Sequence, residues 1–344
     1  MLSLRKLEAA GGLSLVEVPE PGSPGPGEVL VRVAATGICG TDLSVDRWTA
    51  SYAGFMGKAL PVTLGHETAG RIVAVGAGVD PARIGCAIVV DPAVACRRCA
   101  RCREGDFIGC LDRQAVGLIR DGAFAPLLLA PDDYCYDLPD GVPLELGALA
   151  EPLSVGAHAL AVGGFTVGMR IAVLGPGPIG QGVAALARHL GAAQVAVIGL
   201  KDAPRLDVLR AMGIGDCFDM AEPGAAEALA QARGEGFDLV VEAAGVPEVI
   251  DQGLALLRPQ GVLVVAGMPE RPASVDIMRL VKYRLEIRGA SRVPPSAWQM
   301  VLKALAEAPD SFAPLVTHRF PLAQADAAFR LCHGRTPSKV LLLP

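Results

Sequence analysis

Two textures of apolar and polar positions follow one another along the chain. From residue 1 to about 150 the apolar residues come in short runs, "EVLVRVAATG", "GRIVAVGAGV" and "CAIVVDP", each closed by Gly or Pro. Such punctuated runs predict the strands of an all-β, barrel-like domain. Further on, "RIAVLG", "QVAVIG", "DLVVEAAG" and "GVLVVAG" alternate with stretches of helical spacing such as "IGQGVAALARHLG" and "APRLDVLRAMG". Apolar strands separated by helices predict a parallel sheet covered on both faces. After about residue 290 the texture turns irregular, with "SRVPPSAW", a helical "VLKALAEA" and a final strand "KVLLLP". No internal repeat or low-complexity tract is visible.

Composition narrows the function classes. A chain of 344 residues exceeds what one core usually serves, so two domains are expected. Charged residues such as Glu145 and Glu151 interrupt "LELGALAEPLSVGAHAL", and no segment reaches the roughly 18 uncharged residues of a membrane span. The start, "MLSLRKLEAAGG", lacks the apolar core of a signal peptide, which makes a cytoplasmic setting the expectation. With 31 basic against 36 acidic residues, a net charge of −5 and no basic run, neither nucleic acid nor a membrane is an expected partner. Nine cysteines, an odd number without a secretion signal, argue for reduced thiols or metal ligands over a disulfide framework.

The first chemical motif is "VLGPGPIGQG", which places Gly175, Gly177 and Gly180 in G-x-G-x-x-G spacing between a predicted strand and a predicted helix. In that context the first Gly permits a tight turn, the second lets a pyrophosphate approach the backbone, and the third lets helix pack on strand. Pro178 and Ile179 complete the loop, and the helix N-terminus favours an anion. A dinucleotide is the predicted ligand.

The second is "CRRCARCREGDFIGC", with Cys96, Cys99, Cys102 and Cys110 in C-x2-C-x2-C-x7-C spacing. Four thiolates can close a tetrahedral zinc site with no position left for substrate, and short cysteine spacings also ligate iron–sulfur clusters. Spacing alone leaves zinc and iron open. A third group, Cys39 in "GICGTDL", His66 and Glu67 in "LGHETAG" and Glu151 in "LAEPLSV", is no spacing motif. Its mix of thiolate, imidazole and carboxylate is nevertheless what holds a catalytic zinc with one position open.

Taken in order, "GICGTDL", "PVTLGHETAG", "CRRCARCREGDFIGC", "EPLSVGAHAL" and "VLGPGPIG" resemble the zinc-containing medium-chain dehydrogenases, most closely their sorbitol (polyol) and threonine dehydrogenase branch. The likeness extends to the ending, "FPLAQADAAFRLCHGRTPSKVLLLP". It implies an α/β protein with a GroES-like β-barrel catalytic domain at 1–152, carrying a structural zinc lobe near 91–115. A Rossmann doubly wound domain follows at 153–290, and 291–344 returns to the catalytic domain. It resolves the cysteine quartet as structural zinc, and it implies a catalytic zinc surrounded by Cys39, His66, Glu67 and Glu151. Asp42 then orients the His66 imidazole, Thr41 accepts the substrate proton, and hydride passes to nicotinamide in a cleft between the domains. The implied assembly is a homotetramer.

Two positions depart from that pattern. Many relatives end the proton relay in a His five positions after the first ligand Cys, where this chain has Ser44. NAD enzymes usually present an acid at the end of the strand "QVAVIG"; here Gly199 stands there, followed by Leu200, Lys201 and Asp202 on a loop one residue longer. Gly199 removes the repulsion of a 2′-phosphate, Lys201 and Arg205 could attract one, and Asp202 could swing back to the ribose. The expectation is two zinc ions per chain and NAD, with NADP the alternative. Arg292 falls where sorbitol dehydrogenases place an arginine that helps bind polyol. The expected activity is oxidation of a polyol, sugar or similar secondary alcohol. L-threonine 3-dehydrogenase or a simple alcohol dehydrogenase is the alternative within the enzymes, and a fold-retaining binding or structural protein the alternative outside them. His158, His189, His318 and His333, with Cys86, Cys135, Cys217 and Cys332, read as packing or surface residues.

Overall fold

Strand Glu28–Gly37 is the spine of the first of two bodies. The computed structural model describes all residues from Met1 to Pro344, and they divide into Met1–Glu151 with Val316–Pro344, and Pro152–Leu315. Along the spine Val29, Val31, Val33 and Ala35 are buried at alternate positions, as the two-residue strand period requires. Glu67–Val75 and Leu127–Pro131 pair antiparallel with it. Lys339–Leu343 also joins antiparallel, placing Leu341 opposite Gly37. Ala87–Val90 and Cys135–Asp137 extend this seven-stranded sheet on one side, and Val316–Pro321 ends it on the other. A three-stranded sheet of Ser14–Glu17, Leu2–Lys6 and Val62–Thr63 completes the β framework expected for this half.

Two apolar clusters hold the body together. Val29, Val31, Val33, Ile72, Ile88 and Leu128 form one. Leu4, Ile38, Val45, Met56, Leu64, Phe124 and Phe329 form the other. Each such side chain contributes about 1.5–3 kcal/mol on full burial. The second cluster holds Ile38 and Val45, which anchors helix Gly40–Asp46 at the end of the spine. Cys39 is thereby fixed between strand and helix.

The second body is a six-stranded sheet in the order Asp216–Asp219, Gln194–Gly199, Arg170–Leu174, Phe237–Glu242, Leu257–Val265 and Glu286–Gly289. All neighbours run parallel. Taken in chain order this is 3-2-1-4-5-6, the doubly wound arrangement whose switch point lies between Arg170–Leu174 and Phe237–Glu242. Ile171, Ala172, Val173, Leu239, Val240 and Val241 are fully buried, which is why these strands read as unbroken apolar runs. At the opposite end of the sheet, the Arg170 guanidinium donates to Gln194 Oε1 at 2.8 Å and to the carbonyls of Gly236, Ala232 and Arg233 at 2.7–2.9 Å.

The segment 291–315, expected with the catalytic domain, belongs instead to the second body, and the return begins at Val316. Its helices Pro295–Glu307 and Pro309–Phe312 pack there: buried Phe312 meets the His189 ring edge-on at 5.8 Å between centroids, and His189 Nε2 lies 3.1 Å from Glu307 Oε2. No helix is long and apolar enough to cross a membrane.

Candidate active site and metal centres

The cysteine quartet is assembled as its spacing suggests. The sulfurs of Cys96, Cys99, Cys102 and Cys110 all lie within 4.8 Å of one another. Backbone N–H groups are aimed at them: Cys96 N donates to Cys110 Sγ at 3.3 Å, Cys99 N to Cys96 Sγ at 3.4 Å and Leu111 N to Cys99 Sγ at 3.5 Å. Those from Leu111 and Cys102 pull the Cys99 thiol down to about 6, and the Arg98 N–H lowers Cys96. N–H groups converging on sulfur favour thiolate at Cys96 and Cys99, whereas burial pushes the Cys102 thiol up to about 12, a penalty that a cation among the four would offset. The donor set therefore fits one closed tetrahedral zinc.

The mixed donors gather at the end of the spine. Cys39 caps helix Gly40–Asp46, and its N–H donates to Asp42 Oδ2 at 2.9 Å. This bond aims the fully buried Asp42 so that Oδ1 lies 3.6 Å from His66 Nδ1, and neither of those two atoms has another hydrogen-bond partner. His66 itself precedes strand Glu67–Val75 and follows Gly65, whose φ of 92° suits glycine; a Cβ there would meet Phe124 at 2.6 Å. Burial opposes a charged His66, yet Asp42, Cys39 and Glu151 outweigh it and lift its pKa well above the ordinary value. Glu151, in the first turn of helix Ala150–Val162, is pushed up to about 7 by burial, with His66 and Lys339 opposing the rise and Glu67 adding to it. Burial likewise raises Asp42.

Around His66 the half-buried Cys39 and Glu151 and the buried Asp42 and Glu67 thus lie near a single lysine, Lys339. Such a set is short of positive charge, and its thiol, imidazole and carboxyl are zinc-binding types. The donor types suit a divalent ion, while only the cysteine quartet has all its donor atoms within 4.8 Å of one another. Glu67 stands apart from the others, because Lys339 Nζ lies 2.6 Å from both its carboxylate oxygens. Lys339 was not legible as a site residue; a lone lysine opening the apolar run "KVLLLP" gives no sign of its partner. Thr41 Oγ1 lies 3.1 Å from Tyr52 Oη, a second residue that sequence reasoning missed. Ser44, half-buried, shares the helix with Thr41.

In the second body Gly175 takes φ 98° at the end of its strand, and a Cβ there would press on Ala244 at 2.8 Å. A Cβ on Gly180 would collide with the Gly175 carbonyl oxygen, so helix Pro178–His189 can approach its strand only with glycine there. Gly177 caps the helix, Pro178 follows at its first position with Ile179 next, and nothing lies within 4 Å of a Cβ built on Gly177. The approach a pyrophosphate needs is open.

At the neighbouring strand end, Asp202 has turned back. Its Cβ lies 3.0 Å from where a Cβ on Gly199 would stand, and its side chain is buried. Lys201, exposed and at φ 58°, makes the turn; its N–H and that of Asp202 donate to Asp219 at 2.7 and 2.9 Å. Asp219, on the next strand, is the further residue that shapes this loop. Arg205 Nη1 lies 3.6 Å from Asp202 Oδ1. Arg292 is exposed in the second body, at φ 63°, just beyond strand Glu286–Gly289.

Comparison with known proteins matches both bodies. Residues 25–140 match the alcohol dehydrogenase GroES-like domain and residues 178–307 the zinc-binding dehydrogenase domain. An L-threonine 3-dehydrogenase of Symbiobacterium thermophilum is 34% identical across 100% of this chain and 98% of its own. A sorbitol dehydrogenase of Halalkalibacterium halodurans is 32% identical across 97% and 96%. Among solved structures, the NADH complex of an alcohol dehydrogenase from Escherichia coli CFT073 has a TM-score of 0.89 at 27% identity, covering 100% and 99% of the two chains. The chain thus belongs to the zinc-containing medium-chain alcohol dehydrogenases, oxidoreductases that work with a nicotinamide cofactor.

Proposed function

We propose that this dehydrogenase oxidises the secondary alcohol of a polyol, sugar or similar compound to a ketone, with NAD as acceptor. The observation that carries the reading is the set of half-buried Cys39 thiol, buried His66 imidazole and half-buried Glu151 carboxyl, which act on one another's charge and are backed by Asp42. These residues would hold a zinc that lowers the pKa of a bound alcohol, while bound nicotinamide accepts the carbinol hydride. Asp42 fixes the face that His66 presents, by standing 3.6 Å from the ring nitrogen on its far side. Thr41 Oγ1 takes the alcohol proton as it passes its own to Tyr52 Oη at 3.1 Å, and half-exposed Tyr52 releases its phenol proton to solvent. Tyr52 thus takes up the relay that Ser44 does not continue. The intact set of Cys39, Thr41, His66 and Glu151 speaks against a non-catalytic role.

The sorbitol dehydrogenase relative and Arg292 support a polyol; the L-threonine 3-dehydrogenase relative keeps threonine in the test. Asp202, turned into the space above Gly199, supports NAD over NADP. The protein works as a cytoplasmic homotetramer in this reading. Nine cysteines without a disulfide among them suit a reducing compartment. Strand Glu286–Gly289 is an open sheet edge beside the exposed apolar residues Ile277, Met278, Val281 and Tyr283. Turnover measured with polyols, simple alcohols and L-threonine, each with NAD and with NADP, tests the proposal. Polyols with NAD are expected to show the highest kcat/KM; L-threonine in that place would reassign the substrate, and silence across the panel would favour the non-catalytic role.

A further inference from the structure

Glu242 ends strand Phe237–Glu242 with its side chain fully buried. One carboxylate oxygen, Oε1, accepts two consecutive N–H groups, those of Ala244 at 2.8 Å and Gly245 at 2.7 Å. The other, Oε2, has no hydrogen-bond partner among the groups of the protein. The main-chain carbonyl of the same residue accepts two further N–H groups, from Ala266 at 2.8 Å and Gly267 at 3.0 Å, just past the end of the neighbouring strand Leu257–Val265. One residue therefore holds the starts of two loops, 243–245 and 266–268.

The loops are also pressed against each other. A Cβ on Gly267 would stand 2.3 Å from the Gly245 nitrogen and 2.6 Å from Glu242 Oε2, so the crossing has room for glycine alone. Loop 243–245 in turn abuts the first glycine of the G-x-G-x-x-G turn, since a Cβ on Gly175 would stand 2.8 Å from the Ala244 Cβ. Above this buried crossing Ala244 and Met268 are exposed, Met268 to 82%. A buried carboxylate with one oxygen unpartnered is a costly way to close a strand end, and such a cost points to a shape that must be kept.

The place of that shape in the sheet says what it serves. In a doubly wound sheet the dinucleotide lies across the carboxyl ends of the strands at the switch point. Its adenosine half belongs at Gln194–Gly199, where Asp202 stands. The strand order then carries its nicotinamide half past Arg170–Leu174 to Phe237–Glu242 and Leu257–Val265. We propose that Glu242 is a positioning residue for the nicotinamide half: from beneath, without touching the cofactor, it fixes loops 243–245 and 266–268 as the wall against which that half lies. The inference rests on the family's nicotinamide cofactor, and neither on the choice between NAD and NADP nor on a metal at the mixed site.

Calorimetric titration of the whole chain tests it with two probes: 5′-ADP, which carries the adenosine half alone, and whichever of NADH and NADPH the wild-type protein binds more tightly. Glu242→Ala is expected to weaken the dinucleotide at least about tenfold and ADP by less than about threefold, because two N–H groups lose their acceptor on the nicotinamide side only. Glu242→Gln keeps an accepting oxygen and is expected to bind both probes within about threefold of wild type. Gly267→Ala leaves the Glu242 side chain in place but forces the loops apart; it is expected to repeat the Glu242→Ala pattern and serves as the test if that variant does not fold. Unchanged dinucleotide affinity in either variant, equal loss of both probes, or Glu242→Gln as weak as Glu242→Ala overturns the inference while leaving the cofactor in place. A wild-type protein that binds neither NADH nor NADPH overturns the cofactor and the inference together.

Discussion

At the strand end where NAD enzymes usually carry an acid, a glycine leaves room that Asp202 fills from three residues further on. The exchange works because Lys201 adopts a left-handed turn and Asp219 catches two consecutive N–H groups of the loop. An anion in that space repels a 2′-phosphate, and charges about 4 Å apart near a protein surface interact by about 4 kcal/mol, enough to outweigh the exposed Lys201. Equilibrium titration should therefore show NADH bound at least about tenfold more tightly than NADPH, with the ratio moving toward unity in Asp202→Ala. A tenfold or greater preference for NADPH that Asp202→Ala leaves unchanged would show that another group chooses the cofactor. Composition disclosed both candidate charges on this loop. Which one faces inward depended on a turn and on an acceptor from the next strand, neither of which has a local signature.

At the scale of elements, the cysteine lobe contains little besides its quartet. Helix Ala100–Arg103 is a single turn, Phe107, Ile108 and Leu111 are exposed, and the small cluster there is made of Ala95 and the cysteines themselves with Tyr134. So small a core would leave a metal held by the quartet as the main tie. Cys99→Ser is expected to lower Tm by roughly 5–15 °C, from a loss of several kcal/mol at about 2–4 °C per kcal/mol. Calorimetry checks this; an unchanged Tm with full zinc content would mean that the lobe does not depend on Cys99. That the four cysteines come together was legible because they lie within fifteen residues, though their spacing leaves the metal open. The mixed set was legible only in part: Cys39, His66, Glu67 and Glu151 were named, but Lys339 acts on a residue 272 positions away and is placed by strand register alone. Segment 291–315 shows the same limit, since helical periodicity declares a buried face without saying which body covers it.

At the scale of the whole molecule, the texture change near residue 150 marks the first boundary, Glu151 to Pro152, and the alternation of strands and helices announces the doubly wound sheet. The second boundary was misplaced by 25 positions, from 291 to 316, for the reason just given. The open edge at Glu286–Gly289 and the apolar residues beside it call for a partner surface. Light scattering at micromolar concentration is expected to report a tetramer, and a monomer would contradict that assembly.

The division of labour between the two metal centres is decided by counting zinc per chain in wild-type protein and in Cys39→Ser, both purified without chelator. One closed and one open site predict about two zinc ions in the first and about one in the second, the remaining ion being that of the quartet. A single zinc in wild type, or two retained without the Cys39 thiol, would contradict the account.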